Sequence, residues 1–275
     1  MITFNRPHYT RLSLSRLCET APENAKITVW DNGSSPETIE VLKKFEGHER
    51  IEQIIFNKTN EKQIGPTNWF WQNSKDADFV SKVDDDCLMP ENWCEALQQA
   101  HLDIPAAGIL GCWHFLPDDF NENAAVRKIQ RFGKHRIMRN CWVGGSGYLM
   151  KRAVIDKIGY MKITEGFSTY CICAAAKNFI NGWYYPFLYQ EHMDDPRTEH
   201  AGINSEADFQ RLRPASAKNF KISSREEWIT RLQQSAQRVQ AYSYDPKDWI
   251  GIRAKIKRKI TTFMGKEYVP LAGKN

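Results

Sequence analysis

A chain of 275 residues with 41% hydrophobic content can bury a substantial core in one domain, or in one domain with an appendage. Its formal charge of +5 is modest and unevenly placed, and its seven cysteines are odd in number without a CxxC pair, which argues against a disulfide framework or a zinc ribbon. No basic-then-apolar leader opens the sequence and no run approaches the roughly 18–20 apolar residues of a membrane span, so a reducing, cytoplasmic setting is expected.

Ile2 to Phe4 reads as the end of a strand, and after Asn5-Arg6-Pro7 a helical pattern puts Leu14, Leu17, Cys18 and Ala21 on one face. Lys26 to Trp30 is a second strand closed by the turn Asp31-Asn32-Gly33, and Ser34-Ser35-Pro36-Glu37 opens a helix through Ile39, Leu42 and Phe45. Ile51 to Phe56 forms a third strand ending at Asn57, and a helix covers the Trp69 region. Phe79 to Val83 forms a fourth strand, which runs into Asp84-Asp85-Asp86. Pro90-Glu91-Asn92-Trp93 starts another helix, and Ala107 to Cys112 is a fifth strand. There is no internal repeat. After about residue 200 the alternation stops and helical patterns such as Trp228, Leu232 and Val239 take over, which predicts a domain over 1–200 and a helical extension over 201–275.

Strands alternating with helices predict an α/β fold with a mostly parallel central sheet and helices on both faces. Ligands of such sheets bind beyond the carboxyl ends of the strands, where Thr3, Asn5, Asp31, Asn57 and Asp84 to Asp86 all fall. Three adjacent carboxylates repel one another and raise each other's pKa unless a cation compensates, so the triplet is a candidate divalent-metal site; a solvated acidic turn before a helix is the alternative. No GxGxxG follows the first strand and no GxxxxGK[ST] occurs. A diphosphate here would therefore be matched by Mn²⁺ or Mg²⁺ rather than by a glycine loop.

Thr3-Phe4-Asn5-Arg6-Pro7, Val29-Trp30-Asp31-Asn32-Gly33-Ser34-Ser35, Val83-Asp84-Asp85-Asp86 and Gly144-Gly145-Ser146-Gly147 leading to Ile158-Gly159-Tyr160 resemble, in order and spacing, the family 2 glycosyltransferases of GT-A fold. The resemblance covers about residues 1–192. It implies a nucleotide-diphospho-sugar donor held by Thr3, Phe4, Asn5, Asp31, Asn68, Asp84 and Asp85. It also implies a metal held by Asp86 with Asp84, and by His192 after the strand-like run Trp183 to Tyr189; His200 is a competitor. Set against the family, the first strand is short by several apolar residues. The acceptor expected is a glycan, or a lipid-linked glycan if the basic C-terminal segment docks on a membrane, in polysaccharide biosynthesis.

Inverting members of the family carry a general base about a dozen residues before a late glycine, but counting back from Gly182 gives Tyr170 and Cys171. Glu165 is the favoured substitute for an inverting reaction. Asp194 or Asp195 on a mobile loop, and a retaining reaction that needs no protein base, stay open. Trp113, Trp142, Trp183 and Tyr184 are candidates for stacking on sugars or for the core, and Cys171 and Cys173 for core filling.

The final segment repeats Trp249, Ile252, Ile256, Ile260 and Phe263 at helical spacing among Arg253, Lys255, Lys257, Arg258 and Lys259. This pattern suits peripheral contact with the inner face of a membrane, or a helix docked on the body with a solvated basic side. A non-catalytic glycan-binding protein is a competing class. Nucleic acid is not expected as a partner, because the positive charge is local and no binding motif accompanies it.

Overall fold

The computed structural model describes residues 1–264, 268 and 270–272. In chain order the first part runs β1 (Ile2–Thr3), α1 (Pro7–Thr20), β2 (Ile27–Asp31), α2 (Pro36–Lys43), β3 (Ile51–Phe56), α3 (Ile64–Asn73), β4 (Phe79–Lys82), β5 (Cys87–Leu88), α4 (Trp93–Asp103) and β6 (Ala107–Gly111). Proline at the first helical turn starts both α1 and α2, where its missing N–H costs nothing. A short α5 (Glu122–Ala125) precedes the hairpin of β7 (Ile129–Phe132) and β8 (His135–Arg139), and β9 (Tyr148–Lys151), α6 (Arg152–Ile158), α7 (Phe167–Ala176), β10 (Ile180–Tyr185) and β11 (Glu191–His192) follow. Helices α8 (Glu206–Leu212), α9 (Ala215–Asn219), α10 (Arg225–Ala241) and α11 (Ile252–Phe263) complete the chain.

One sheet has the order β1-β2-β3, all parallel; a second has the order β4-β9-β6-β10-β8-β7; β11 and β5 form a third, two-stranded ladder. A parallel bridge between Ile2 and Asp84 joins the first two sheets through β1 and the end of β4. Strands β1, β2, β3, β4, β6 and β10 thus share one direction, and Thr3, Asp31 and Lys82 end their strands on one edge. The rest of the sheet is less parallel than the sequence predicts: β9 runs against β4 and β6 between them, and β8 runs against β10. Tyr148, Leu149 and Met150 of β9 are all buried, so this inner strand shows no alternation for a sequence reading to catch. The β7–β8 hairpin turns at Gly133, whose φ of +59° is one that glycine adopts freely.

Two large apolar clusters fill the space between sheets and helices, one around Trp71, Trp113, Tyr148 and Trp183, the other around Leu14, Val29, Leu97 and Leu110. Helices α8 to α10 enclose a smaller cluster of Ile203, Phe209, Ala217, Trp228 and Leu232. α11 rests on the body through buried Ala254, and Arg258 donates to the Trp249 carbonyl. At 3.6 residues per turn, Ile252, Ile256, Ile260 and Phe263 form a row on the opposite side, and all four are exposed. Among the described residues no helix is long and apolar enough to cross a membrane.

Candidate metal and donor site

The aspartate triplet is a tight turn, with the Cys87 N–H donating to the Asp84 carbonyl at 3.2 Å. A turn sends neighbouring side chains in different directions, and the three carboxylates part accordingly. Asp84 turns back to Lys82, and its own N–H donates to Ser146 Oγ at 2.9 Å. Asp85 points at β1 and accepts from Thr3 Oγ1 at 2.9 Å and from the Phe4 N–H at 3.2 Å. Asp86 faces the remaining side, where Arg6 Nη1 lies 3.0 Å and His192 Nε2 3.8 Å from its Oδ2.

The β5–β11 ladder places the histidine. His192 is registered opposite Cys87, and the Met193 N–H donates to the Asp86 carbonyl at 2.8 Å. The next turn brings in Asp194, which accepts from Arg6 Nη2 at 2.7 and 3.0 Å and whose carbonyl takes the Trp228 indole N–H from α10 at 2.7 Å. One potential ligand atom from each of Asp86, His192 and Asp194 falls within 4.8 Å of the others. His192 Nδ1 is buried and has no hydrogen-bond partner among the described residues. Two carboxylates and an imidazole form a mixed oxygen and nitrogen set suited to Mn²⁺ and compatible with Mg²⁺. The set differs from the expected one: Asp84 is drawn off to Lys82 by the turn, and Asp194, weighed from sequence only as a base, stands in its place.

The charges are strongly coupled. Burial opposes ionisation of Asp86, but the hydrogen bond and charge of His192, with Arg6, hold its carboxyl well below the usual range. Burial also works against the His192 cation, yet Asp86 lifts its pKa to about 9. Asp85 is pushed up to about 7 and Asp194 to about 6, in both cases chiefly by burial against the pull of Arg6. The His114 ring packs 6.0 Å from that of His192 and is driven down to about 3 by burial and by the neighbouring imidazole's charge.

The other predicted residues are distributed around this centre. Asp31 is fully buried at the end of β2 and accepts from the Ser34 N–H at 3.2 Å. Asn5 ties the ends of β1 and β2 together, donating from its N–H to Ser34 Oγ at 3.0 Å and accepting from the Ser35 N–H at 2.7 Å. Phe4, beside Asp85, keeps 40% of its surface exposed. Asn68 commits both ends of its amide to the backbone of Met161, and Asn57 donates to the Thr59 carbonyl. Glu165 sits in the loop before α7, 3.3 Å from Lys162 Nζ. His200 pairs with Glu191 at 3.0 Å rather than facing Asp86. Trp113 and Trp183 are core residues, and Trp142 packs on Trp249. Sequence reading missed Arg6 and His114 altogether, although Arg6 stands inside the Asn5-Arg6-Pro7 motif.

A family model, Glycosyl transferase family 2, matches residues 1–159. The chain belongs to this family. It is a glycosyltransferase of GT-A fold, and solved members of that fold superpose on it. A mannosyltransferase, PcManGT from Pyrobaculum calidifontis, in complex with GDP-Man and Mn²⁺, matches with a TM-score of 0.58 at 15% identity over 96% of this chain and 82% of its own. S. aureus TarS 1-349 matches with a TM-score of 0.51 at 13% identity, over 87% and 79% of the two chains. GalNAc-T7 with UDP, GalNAc and Mn²⁺ matches with a TM-score of 0.53 at 14% identity over 70% of this chain, which spans only 42% of that protein. No curated protein matches the sequence.

Proposed function

We propose that this glycosyltransferase moves a sugar from a nucleoside-diphosphate donor to a glycan or lipid-linked glycan, with Mn²⁺ or Mg²⁺ held by Asp86, His192 and Asp194. The observation that carries the reading is the meeting of these three residues at the strand ends, next to the Thr3–Phe4–Asp85 corner. GDP-Man and Mn²⁺ in the complex of PcManGT, and UDP, GalNAc and Mn²⁺ in that of GalNAc-T7, support it. A bound divalent cation supplies Lewis-acid charge to the leaving diphosphate.

The chain's own groups do the rest. The exposed Phe4 ring offers a face for the base and Asp85 an acceptor for a ribose hydroxyl, at strand ends that buried Asp31 and the Asn5 bridge to Ser34 and Ser35 hold in register. For an inverting reaction Glu165 is the proton acceptor. Asp194 belongs to the proposed metal set and the Asp195 carboxylate is taken by Arg197 at 2.6 Å, whereas Glu165 pairs with the exposed Lys162. The exposed apolar row of α11, set among five cations, supports peripheral contact with an anionic membrane face and hence a lipid-linked acceptor in polysaccharide synthesis.

A thermal-shift panel of UDP, GDP, CMP and dTDP sugars, with and without Mn²⁺, tests the reading on wild type and Asp86→Ala. One donor class should raise the melting temperature only with Mn²⁺, and the variant should lose both that rise and sugar transfer. An Asp86→Ala protein that transfers sugar normally would sink the metal assignment.

A further inference from the structure

The two carboxylates that the proposed cation needs are already bridged by one side chain. Arg6 Nη1 lies 3.0 Å from Asp86 Oδ2, and Arg6 Nη2 lies 2.7 Å and 3.0 Å from the two oxygens of Asp194. The Asp86 oxygen it holds is the same one that faces His192 Nε2. A guanidinium and a divalent cation cannot share those oxygens: both need the same lone pairs, and both are positive in a site only partly open to water.

The backbone gives Arg6 its place and leaves its side chain some freedom. Asn5 adopts a φ of +55°, Pro7 opens α1 and disfavours the helical region for the residue before it, and Arg6 sits between them at φ −133° and ψ +64°. Among the described residues the side chain is held by charge pairing and by the Tyr9 ring, 5.3 Å from the guanidinium carbon, and 22% of it is exposed. Tyr9 is itself locked, donating to the Met193 carbonyl at 2.7 Å and accepting from the Gly202 N–H at 2.8 Å. It offers a fixed surface over which the guanidinium can slide. A planar fork released from two carboxylates matches phosphate oxygens equally well.

We propose that Arg6 is the exchangeable counter-ion of the metal site: it holds Asp86 and Asp194 together, is displaced from them by the entering divalent cation, and then pairs with the donor's diphosphate. The inference rests on the metal reading above and adds a linkage to it. Each cation that enters frees a phosphate ligand, so metal and nucleotide favour each other's binding by the same factor.

Two affinities of opposite sign test this. Mn²⁺ binding, followed by the spin-resonance signal of the free ion, is measured without nucleotide on wild type, Arg6→Ala, Arg6→Gln and Asp86→Ala; UDP and GDP binding are then measured at saturating Mn²⁺. Removing the competitor should tighten Mn²⁺ about tenfold, or about 1.4 kcal/mol, and weaken the nucleotide that wild type prefers about tenfold. A structural role for Arg6 would weaken both. Arg6→Gln carries the same expectation if Arg6→Ala does not fold. Unchanged or weaker Mn²⁺ binding in a folded Arg6 variant, with binding lost in Asp86→Ala, overturns the exchange and leaves the metal site standing. No Mn²⁺ binding by wild type or by any Arg6 variant overturns both.

Discussion

Replacing Ile256 and Ile260 of α11 with aspartate should detach the protein from anionic vesicles without unfolding it. Both isoleucines are about half exposed, at 52% and 53%, so each has about 1 kcal/mol of apolar burial left to gain from a lipid surface. Each new carboxylate facing anionic lipid costs about 1 kcal/mol more. The double substitution therefore removes about 4 kcal/mol, roughly a thousandfold in the partition constant. The contact with the body is on the other side of the helix, through Ala254 and Arg258, so the melting temperature should not move. The assay is co-sedimentation with vesicles of phosphatidylcholine alone and of phosphatidylcholine with phosphatidylglycerol, at low and high salt. Wild type should pellet only with the anionic vesicles and release as salt shortens the Debye length from about 8 Å at 0.15 M to about 3 Å at 1 M. Equal pelleting of wild type and the double variant, or no preference for anionic lipid in wild type, would refute the reasoning.

Gly182→Ala should destabilise the fold by about 3 kcal/mol or more in urea unfolding, because a Cβ there would meet the Met138 backbone oxygen at 2.4 Å, between two hydrogen-bonded strands that cannot part. Lys128→Met should change the pH dependence of stability. Burial drives the Lys128 amine down to about 7, so between about pH 7 and 10.5 the unfolded chain binds a proton that the folded chain does not; stability from this group is full above that window and is lost as pH falls through it. The stability advantage of the variant over wild type should therefore grow by up to about 1.4 kcal/mol per pH unit as pH falls across that range, levelling off below about pH 7, as followed by urea melts.

The helical faces and strand ends of the first half were legible because each element is long enough to show its own period. α1 buries Leu14, Leu17 and Cys18 as its spacing demands, and β2 carries Asp31 to the sheet edge. The β7–β8 hairpin and β9 were not legible. β9 has only four residues, its first three all buried, and a short apolar run of that kind carries no period to distinguish a strand from a buried helical turn. That the reversed strand lies between β4 and β6 is a fact about long-range pairing and cannot be read from any local window.

The site divides along the same line. Asp84 to Asp86 announce themselves because adjacent charges demand compensation, but which of them serves a metal depends on a turn whose geometry the sequence does not state. His192 and Asp194 reach Asp86 through a ladder of two residues on each side, too short to have any pattern, and Asp194 is held by the Trp228 indole from a helix that reads in sequence as mere covering. That contact changes what α10 is for. The metal set proposed here spans a turn after β4, a two-residue ladder and an anchor more than thirty positions further on, so the helical part beyond residue 200 supplies the brace for one of three ligands. A cluster assembled from such distant pieces needs something to hold its anions together while they wait for their cation, and Arg6, which pairs with Asp85, Asp86 and Asp194, is placed to do so.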